Sequence, residues 1–231
     1  MKLSIIIPTL NEAERISQLL LHFKTHLPAD EGEIIVVNAP KTTDRTGELA
    51  KLHGATVITA DQSCRATQMN CGARYASGTV LYFVHADVLP PPSFYQDISK
   101  AIEQKADFGW FSYRFDSTHP LLRYNARYTK KDGFFAGGGD QTLFIKKKIF
   151  EQMGGFREDY LIMEDFELTK RLKKKGYFLH IIPNDAQVSA RKYERNSYFK
   201  VNLVNLLMFV LFWLKCPQPI MVKTYRSLLN R

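Results

Sequence analysis

Cysteine is scarce in this chain. Cys64, Cys71 and Cys216 are an odd set without the paired spacing of a zinc site. A disulfide scaffold and a structural zinc module are therefore excluded, and a reducing, cytoplasmic setting is expected. A signal-peptide pattern is missing too, because Met1-Lys2 runs straight into a strand pattern. No internal repeat or low-complexity linker divides the chain. One domain is expected over 1–195, with 196–231 as an apolar helix and basic tail. The uninterrupted apolar stretch 206–214 is about half of what a membrane span needs. A glycine-rich, lysine-bearing phosphate loop is also absent after the first strand, where Thr9-Leu10-Asn11-Glu12 stands. That argues against nucleotidyl transfer. Acidic residues are outnumbered, 23 Asp and Glu against 32 Lys and Arg, for a net charge of +9. Anionic partners follow from that balance. Nucleic acid is not among them, because the basic residues do not gather around exposed aromatics in a recognisable module.

What is present is a regular alternation. Leu3-Ser4-Ile5-Ile6-Ile7-Pro8 reads as a buried strand, and Ile16, Leu19, Leu20, Phe23 and Leu27 recur at helical spacing behind it. Asn11 is placed to cap that helix, with Glu14 in capping-box position. A second strand covers 33–37 and ends at Asn38. Asp44 caps a second helix, which Gly54 stops. Strand 56–59, helix 64–76 and an apolar strand from Leu81 that ends at Asp87 complete a β-α-β-α-β-α-β series. The fold class is α/β, a mostly parallel, doubly wound sheet flanked by helices. Beyond it the pattern predicts a helix at 93–105, a strand at 108–115, and a basic helix or loop at 119–131. A flexible glycine loop at 136–141, a strand at 142–145 and a turn at 153–156 follow. The series closes with a helix at 163–175 and late strands at 178–182 and 187–190.

Asp87 carries the first chemical signal. Pro90, Pro91 and Pro92 close its strand, so a carboxylate stands at the strand's carboxyl end, where open α/β sheets place ligands. With His85 two residues earlier it can hold Mn2+ or Mg2+ bridged to substrate phosphates, or it can simply cap the turn. Glu164-Asp165 opens the helix at 163–175, and its three closing lysines complement the helix dipole. The pair either stabilises that helix start or supplies a general base. Adjacent helical residues point about 100° apart. One carboxylate should therefore face a cleft while the other meets backbone or a basic neighbour. Asp140 beside Gly138 binds acceptor hydroxyls or only shapes its loop.

The chain resembles the family 2 glycosyltransferases of GT-A fold over roughly residues 3–195. The likeness rests on Ile5-Ile6-Ile7-Pro8-Thr9-Leu10-Asn11-Glu12, on Arg65-Ala66-Thr67-Gln68-Met69-Asn70-Cys71-Gly72-Ala73, on His85-Ala86-Asp87, and on Gly154-Gly155-Phe156 followed by Glu164-Asp165. Ser189-Ala190-Arg191 adds a likeness to the bacterial branch with a His-Ala-Asp triplet. The resemblance implies inverting transfer from a nucleotide-sugar to a sugar, lipid or other hydroxyl acceptor. It implies Asp165 as base and Asp87 as metal ligand. Pro8, Thr9, Leu10, Glu12, Asn38, Arg65, His85, Ala86, Asp87, Arg191 and Arg195 fall on the donor side. Gly138, Asp140 and Glu164 fall on the acceptor side. Two residues depart from the family pattern: Asn38 stands where an Asp is usual, and His85 replaces the first Asp of the metal motif. A catalytically lapsed nucleotide-binding protein at a membrane surface is the competing reading.

The stretch 198–214 is the most apolar, with Arg191, Lys192, Arg195 and Lys200 before it and Lys215, Lys223 and Arg226 after it. A helix lying on an anionic membrane at the inner face of the cell has this composition. A helix buried against the sheet or in a homodimer interface has it as well.

Overall fold

The computed structural model describes residues 1–133 and 136–229. One eight-stranded sheet carries the fold, in the order β3-β2-β1-β4-β7-β6-β8-β5. Its strands are β1 (Leu3–Thr9), β2 (Gly32–Asn38), β3 (Thr56–Thr59), β4 (Val80–Phe83), β5 (Val88–Leu89), β6 (Phe108–Phe115), β7 (Leu143–Lys146) and β8 (Leu179–Val188). The helices are α1 (Ala13–His26), α2 (Thr46–Leu52), α3 (Arg65–Tyr75), α4 (Phe94–Glu103), α5 (Pro120–Tyr128), α6 (Lys147–Gln152), α7 (Glu164–Lys174), α8 (Arg191–Glu194), α9 (Tyr198–Trp213) and α10 (Gln218–Leu228). β1 to β4 pair in parallel, and β7 enters antiparallel to both β4 and β6.

The central strands are apolar throughout because both faces are covered. Ile5 and Ile7 of β1 join Leu20 and Phe23 of α1 and Phe94 and Ile98 of α4 in one core. Ile6 faces the other way, into a second core with Met69 of α3, Phe83 of β4 and Leu168 and Leu172 of α7. α3 lies so close to β1 that a Cβ on Gly72 would stand 2.5 Å from Ile6 Cγ2.

Four expectations change in detail. Asn11 does not cap α1. It sits at φ 56° and its Oδ1 accepts from the Thr43 backbone N–H at 2.9 Å. The first turn of α1 is served from a distance: Asp44 Oδ2 accepts from the Ala13 N–H. The strand expected to reach Asp87 stops at Phe83. The chain then turns through Ala86 and Asp87, and Val88–Leu89 pairs with β8 instead. The two late strands are one, β8. Its register slips between Phe111 and Tyr113, where residues 183–185 stand opposite Ser112 alone. Pro183 thus falls in a bulge, where a missing N–H costs no ladder bond. The glycine loop, expected to be flexible, closes with a 3-10 turn at Gly139–Gln141; residues 134 and 135 of the stretch before it lie outside the described residues.

α9 has two apolar faces. Val201, Val204, Met208 and Phe212 are buried, while Phe199, Leu203, Leu206 and Val210 form an exposed stripe at helical spacing. The buried face rests on the body of the protein. Phe209 meets Phe166 of α7 with ring centres 4.7 Å apart, and Lys170 Nζ lies 3.9 Å from the ring of Trp213. Gln218 Oε1 accepts from the backbone N–H groups of Leu161 and Ile162 just before α7. Among the described residues no helix is long and apolar enough to cross a membrane.

Candidate functional site

Charged side chains gather where the parallel strands end. Pro8 and Thr9 close β1 beside Val37 and Asn38 of β2. Thr9 Oγ1 donates to Asn38 Oδ1 at 2.6 Å. A carboxamide accepts that bond as a carboxylate would, so Asn38 keeps the contact and loses the charge. Gly47 packs against its other end, where a Cβ would lie 2.5 Å from Asn38 Nδ2. Sequence reasoning missed Gln68. Its buried Nε2 donates to Thr9 O at 2.9 Å and Val37 O at 2.7 Å, fastening the ends of β1 and β2 together. The available signal was a polar residue on the inward face of α3.

Leu10 is exposed at the rim. Glu12 follows, its backbone N–H held by Thr46 Oγ1. The Arg191 guanidinium stands between two loops, 3.7 Å from Glu12 and 3.5 Å from Asp87. α8 therefore brings a cation from the late part of the chain over the ends of β1 and β4. Burial raises Glu12 above the usual carboxylate range, against the pull of Arg191. Arg195, expected beside it, is exposed at the C-terminal end of α8. Lys192 of α8 opposes the raised proton affinity of Asp140, and it donates to Asn205 Oδ1 at 3.1 Å.

The turn after β4 is pinned by Val88 N–H to His85 O and by Ser189 N–H to Asp87 O. Ala86 is buried within it. Burial and the Arg65 guanidinium push His85 below the ordinary imidazole range, against the pull of Asp87. The ring is neutral at pH 7 and able to accept or to ligate. Gly139 is the meeting point of this turn with α7. A Cβ there would stand 2.0 Å from His85 Cε1 and 2.8 Å from Asp165 Oδ2, so only glycine lets these elements close together. Asp140 beside it is raised by the protein crowded around it and by Asp87, while Lys192 and Arg65 oppose. Its side chain still faces solvent, and water moderates that effect. Gly138 packs on Phe166.

The two carboxylates at the start of α7 diverge. Glu164 is fully buried, and its Oε1 lies 2.8 Å from Arg65 Nε. That contact has the distance of an ion pair without the angle of a hydrogen bond, so both oxygens lack a donor. Glu164, expected on the acceptor side, thus reaches no solvent and holds Arg65 from behind. Asp165 is 6% exposed beside Gly139. Burial and the Glu164 charge hold it well above the usual carboxylate range, with Arg65 opposing. Two backbone strains flank this corner: Met163 at φ 65° before α7, and β-branched Thr142 at φ 53° after the Gly139 turn. Such conformations cost on the order of 1–3 kcal/mol each and collect at ligand sites. Tyr82 and Thr142 share a hydroxyl contact of 3.0 Å that holds the second one.

Residues 4–161 match the family described as glycosyl transferase family 2. A relative from Methanococcus voltae, dolichyl N-acetyl-alpha-D-glucosaminyl phosphate 3-beta-D-2,3-diacetamido-2,3-dideoxy-beta-D-glucuronosyltransferase, is 27% identical over 224 residues. That match covers 86% of this chain and 68% of the relative. Among solved structures, the mannosyltransferase PcManGT from Pyrobaculum calidifontis in complex with GDP-Man and Mn2+ matches with a TM-score of 0.72 at 19% identity. The match spans 98% of this chain and 69% of that one. S. aureus TarS residues 1–349 in complex with UDP-GlcNAc matches with a TM-score of 0.68 at 16% identity, over 100% of this chain and 72% of that one.

Proposed function

The chain belongs to glycosyl transferase family 2, and on that premise we propose that it moves a sugar from a nucleotide-sugar to an acceptor hydroxyl with inversion. We place it in the branch with the His-Ala-Asp triplet, here His85-Ala86-Asp87. One observation carries the reading: a buried carboxylate of raised proton affinity, Asp165, lies across Gly139 from His85, at a cleft where Arg65 and Arg191 gather. Asp165 takes the acceptor's hydroxyl proton. The oxygen forms its bond to the anomeric carbon from one face as the bond to the phosphate oxygen breaks on the other. The electron pair of that bond leaves with the nucleoside diphosphate, and the proton on Asp165 passes to solvent. A proton affinity nearer neutrality makes a carboxylate a better base. Pro8, Thr9, Leu10, Glu12 and Asn38 line the nucleotide side, and Asp140 and Gly138 the acceptor side. Incubation with a panel of nucleotide-sugars tests the reading. Release of nucleoside diphosphate supports it, and binding without turnover would support a lapsed nucleotide-binding protein.

The residues fit a divalent cation of one kind. Among the described residues no three His, Cys, Asp or Glu side chains form a metal cage. Asp87 is about a third exposed and has a neutral His85 two residues away. That set suits Mn2+ or Mg2+ that fills its shell with substrate phosphates and water. When bound, the cation neutralises charge on the leaving diphosphate. Asp87→Ala is expected to abolish the Mn2+-dependent part of the thermal stabilisation by a nucleoside diphosphate. An unchanged Mn2+ effect would reduce Asp87 to a turn residue.

The exposed stripe of α9, with Lys200 and Lys215 at its ends, supports peripheral binding to an anionic membrane. Because the opposite face of α9 holds α7, deletion is the wrong test. Phe199→Ser/Leu203→Ser/Leu206→Ser is expected to release the protein from anionic vesicles and leave its melting temperature unchanged. Equal pelleting of parent and variant would exclude the membrane. Loss of a dimer in the variant would assign the stripe to a second copy.

A further inference from the structure

A second basic recess lies away from the cleft. A cavity of about 430 Å³ opens between α5, the end of β6 and the bulge of β8. Arg114, Arg123, Arg127, Lys130 and Asp185 supply its charges. Its volume is that of a small-molecule site. Tyr113 and Phe115, on either side of Arg114, pack on each other, and Phe115 packs on Tyr193 of α8 toward the cleft. Strand alternation turns Arg114 to the opposite face of β6, and Phe115 also lines the cavity at its edge. Arg123 and Arg127 are one turn apart on one face of α5, where like charges repel.

Among the described residues none of the three arginines has a carboxylate within ion-pairing distance. The one acid on the wall is already engaged. Asp185 accepts from Ser112 Oγ at 2.5 Å and lies 3.6 Å from Lys130. The bulge of β8 is what places it there, since residues 183–185 stand opposite Ser112. The recess therefore spends its acid on Lys130 and leaves three guanidinium groups facing one concave space. Guanidinium forks match the oxygens of a phosphate in pairs, which a lysine cannot do.

We propose that this recess binds a phosphate group, carried by a phospholipid headgroup or by a soluble phosphorylated compound. It stands apart from the donor cleft and does not depend on the sugar-transfer reading.

The test uses the full chain. Glycerol phosphate is titrated calorimetrically with the cleft saturated by a nucleoside diphosphate, and phosphatidylcholine vesicles with and without phosphatidic acid are pelleted with the protein. Arg123→Ala/Arg127→Ala removes two exposed side chains, and circular dichroism checks its fold. Lys174→Ala/Lys175→Ala, a change of equal charge elsewhere, is the control. The expected result is a loss of about tenfold or more in phosphate affinity for the arginine variant. The control should bind as the parent does, and nucleoside diphosphate binding should be unchanged in both. Binding of glycerol phosphate assigns a soluble source. Binding confined to phosphatidic acid vesicles and lost in the arginine variant assigns a headgroup, and vesicle binding that the arginine variant keeps overturns the proposal. Failure of the parent to bind either probe at millimolar phosphate overturns the proposal. An equal loss in the control overturns it too, as does displacement by nucleoside diphosphate.

Discussion

Asp165→Asn is expected to lower turnover by about two orders of magnitude or more, with nucleoside diphosphate binding intact. The substitution keeps the shape of the side chain at the first turn of α7 and removes its proton affinity. Glu164→Gln should cost less, because Glu164 is buried behind Arg65 and faces no acceptor. Asp165→Asn also carries a stability signature. A carboxyl whose proton affinity is raised in the fold binds more protons folded than unfolded, so its contribution to stability falls as pH rises. Asp165 is raised in this way by burial and by Glu164. Without nucleotide, Asp165→Asn should therefore melt higher than the parent, and the difference should grow as pH rises above the ordinary carboxylate range. Turnover of the parent should rise over the same range as the base loses its proton. Near-normal turnover in Asp165→Asn together with a dead Glu164→Gln would move the base to Glu164. Activity in both would place the base elsewhere.

Arg65→Met has the second largest expected effect, on stability and turnover together. Glu164 has 1% of its side chain exposed, and its charge is met by Arg65. Removing one partner of a buried pair strands the other, at about 3–5 kcal/mol. Arg65 is 46% exposed, so solvent already shares in the pair. The loss should be nearer about 2 kcal/mol, read by urea unfolding. Arg65→Met/Glu164→Gln removes the stranded charge and should recover most of that loss, the non-additivity expected of two groups in contact. If Arg65 also steadies the leaving diphosphate, the double variant stays slow after it has become stable. Recovery of turnover along with stability would make Arg65 a partner of Glu164 alone.

Much of the architecture was legible because it is written in local periods. The run Leu3-Ser4-Ile5-Ile6-Ile7 admits no polar face, so it reads as a strand covered on both sides, and Ile5 and Ile6 do enter opposite cores. Ile16, Leu20 and Phe23 repeat at helical spacing and are buried together. The end of β1, Asn38 and the start of α7 could be marked as well, since strand ends and helix starts carry their own signals, whereas Asp87 stands in a turn beyond the end of β4.

What stayed out of reach depends on neighbours distant in the chain. Asp44 serves the start of α1 from 31 residues away, which no local capping pattern displays. Residues 178–182 and 187–190 read as two separate strands, and only the slipped register opposite Ser112 shows that β8 runs on through Pro183. Gly139 read as loop flexibility until His85 and Asp165 were found against it. Arg191 and Arg195 are equivalent as residues, and the short helix α8 aims the first at Glu12 and Asp87 while leaving the second in solvent. α9 is apolar on both faces, so its composition could not say which face is covered; α7 decides that through Phe166 and Lys170. Hydrophobic period is a property of consecutive residues. The partner of a charge, the close approach at a glycine and the buried side of an apolar helix are properties of what the folded chain brings beside them.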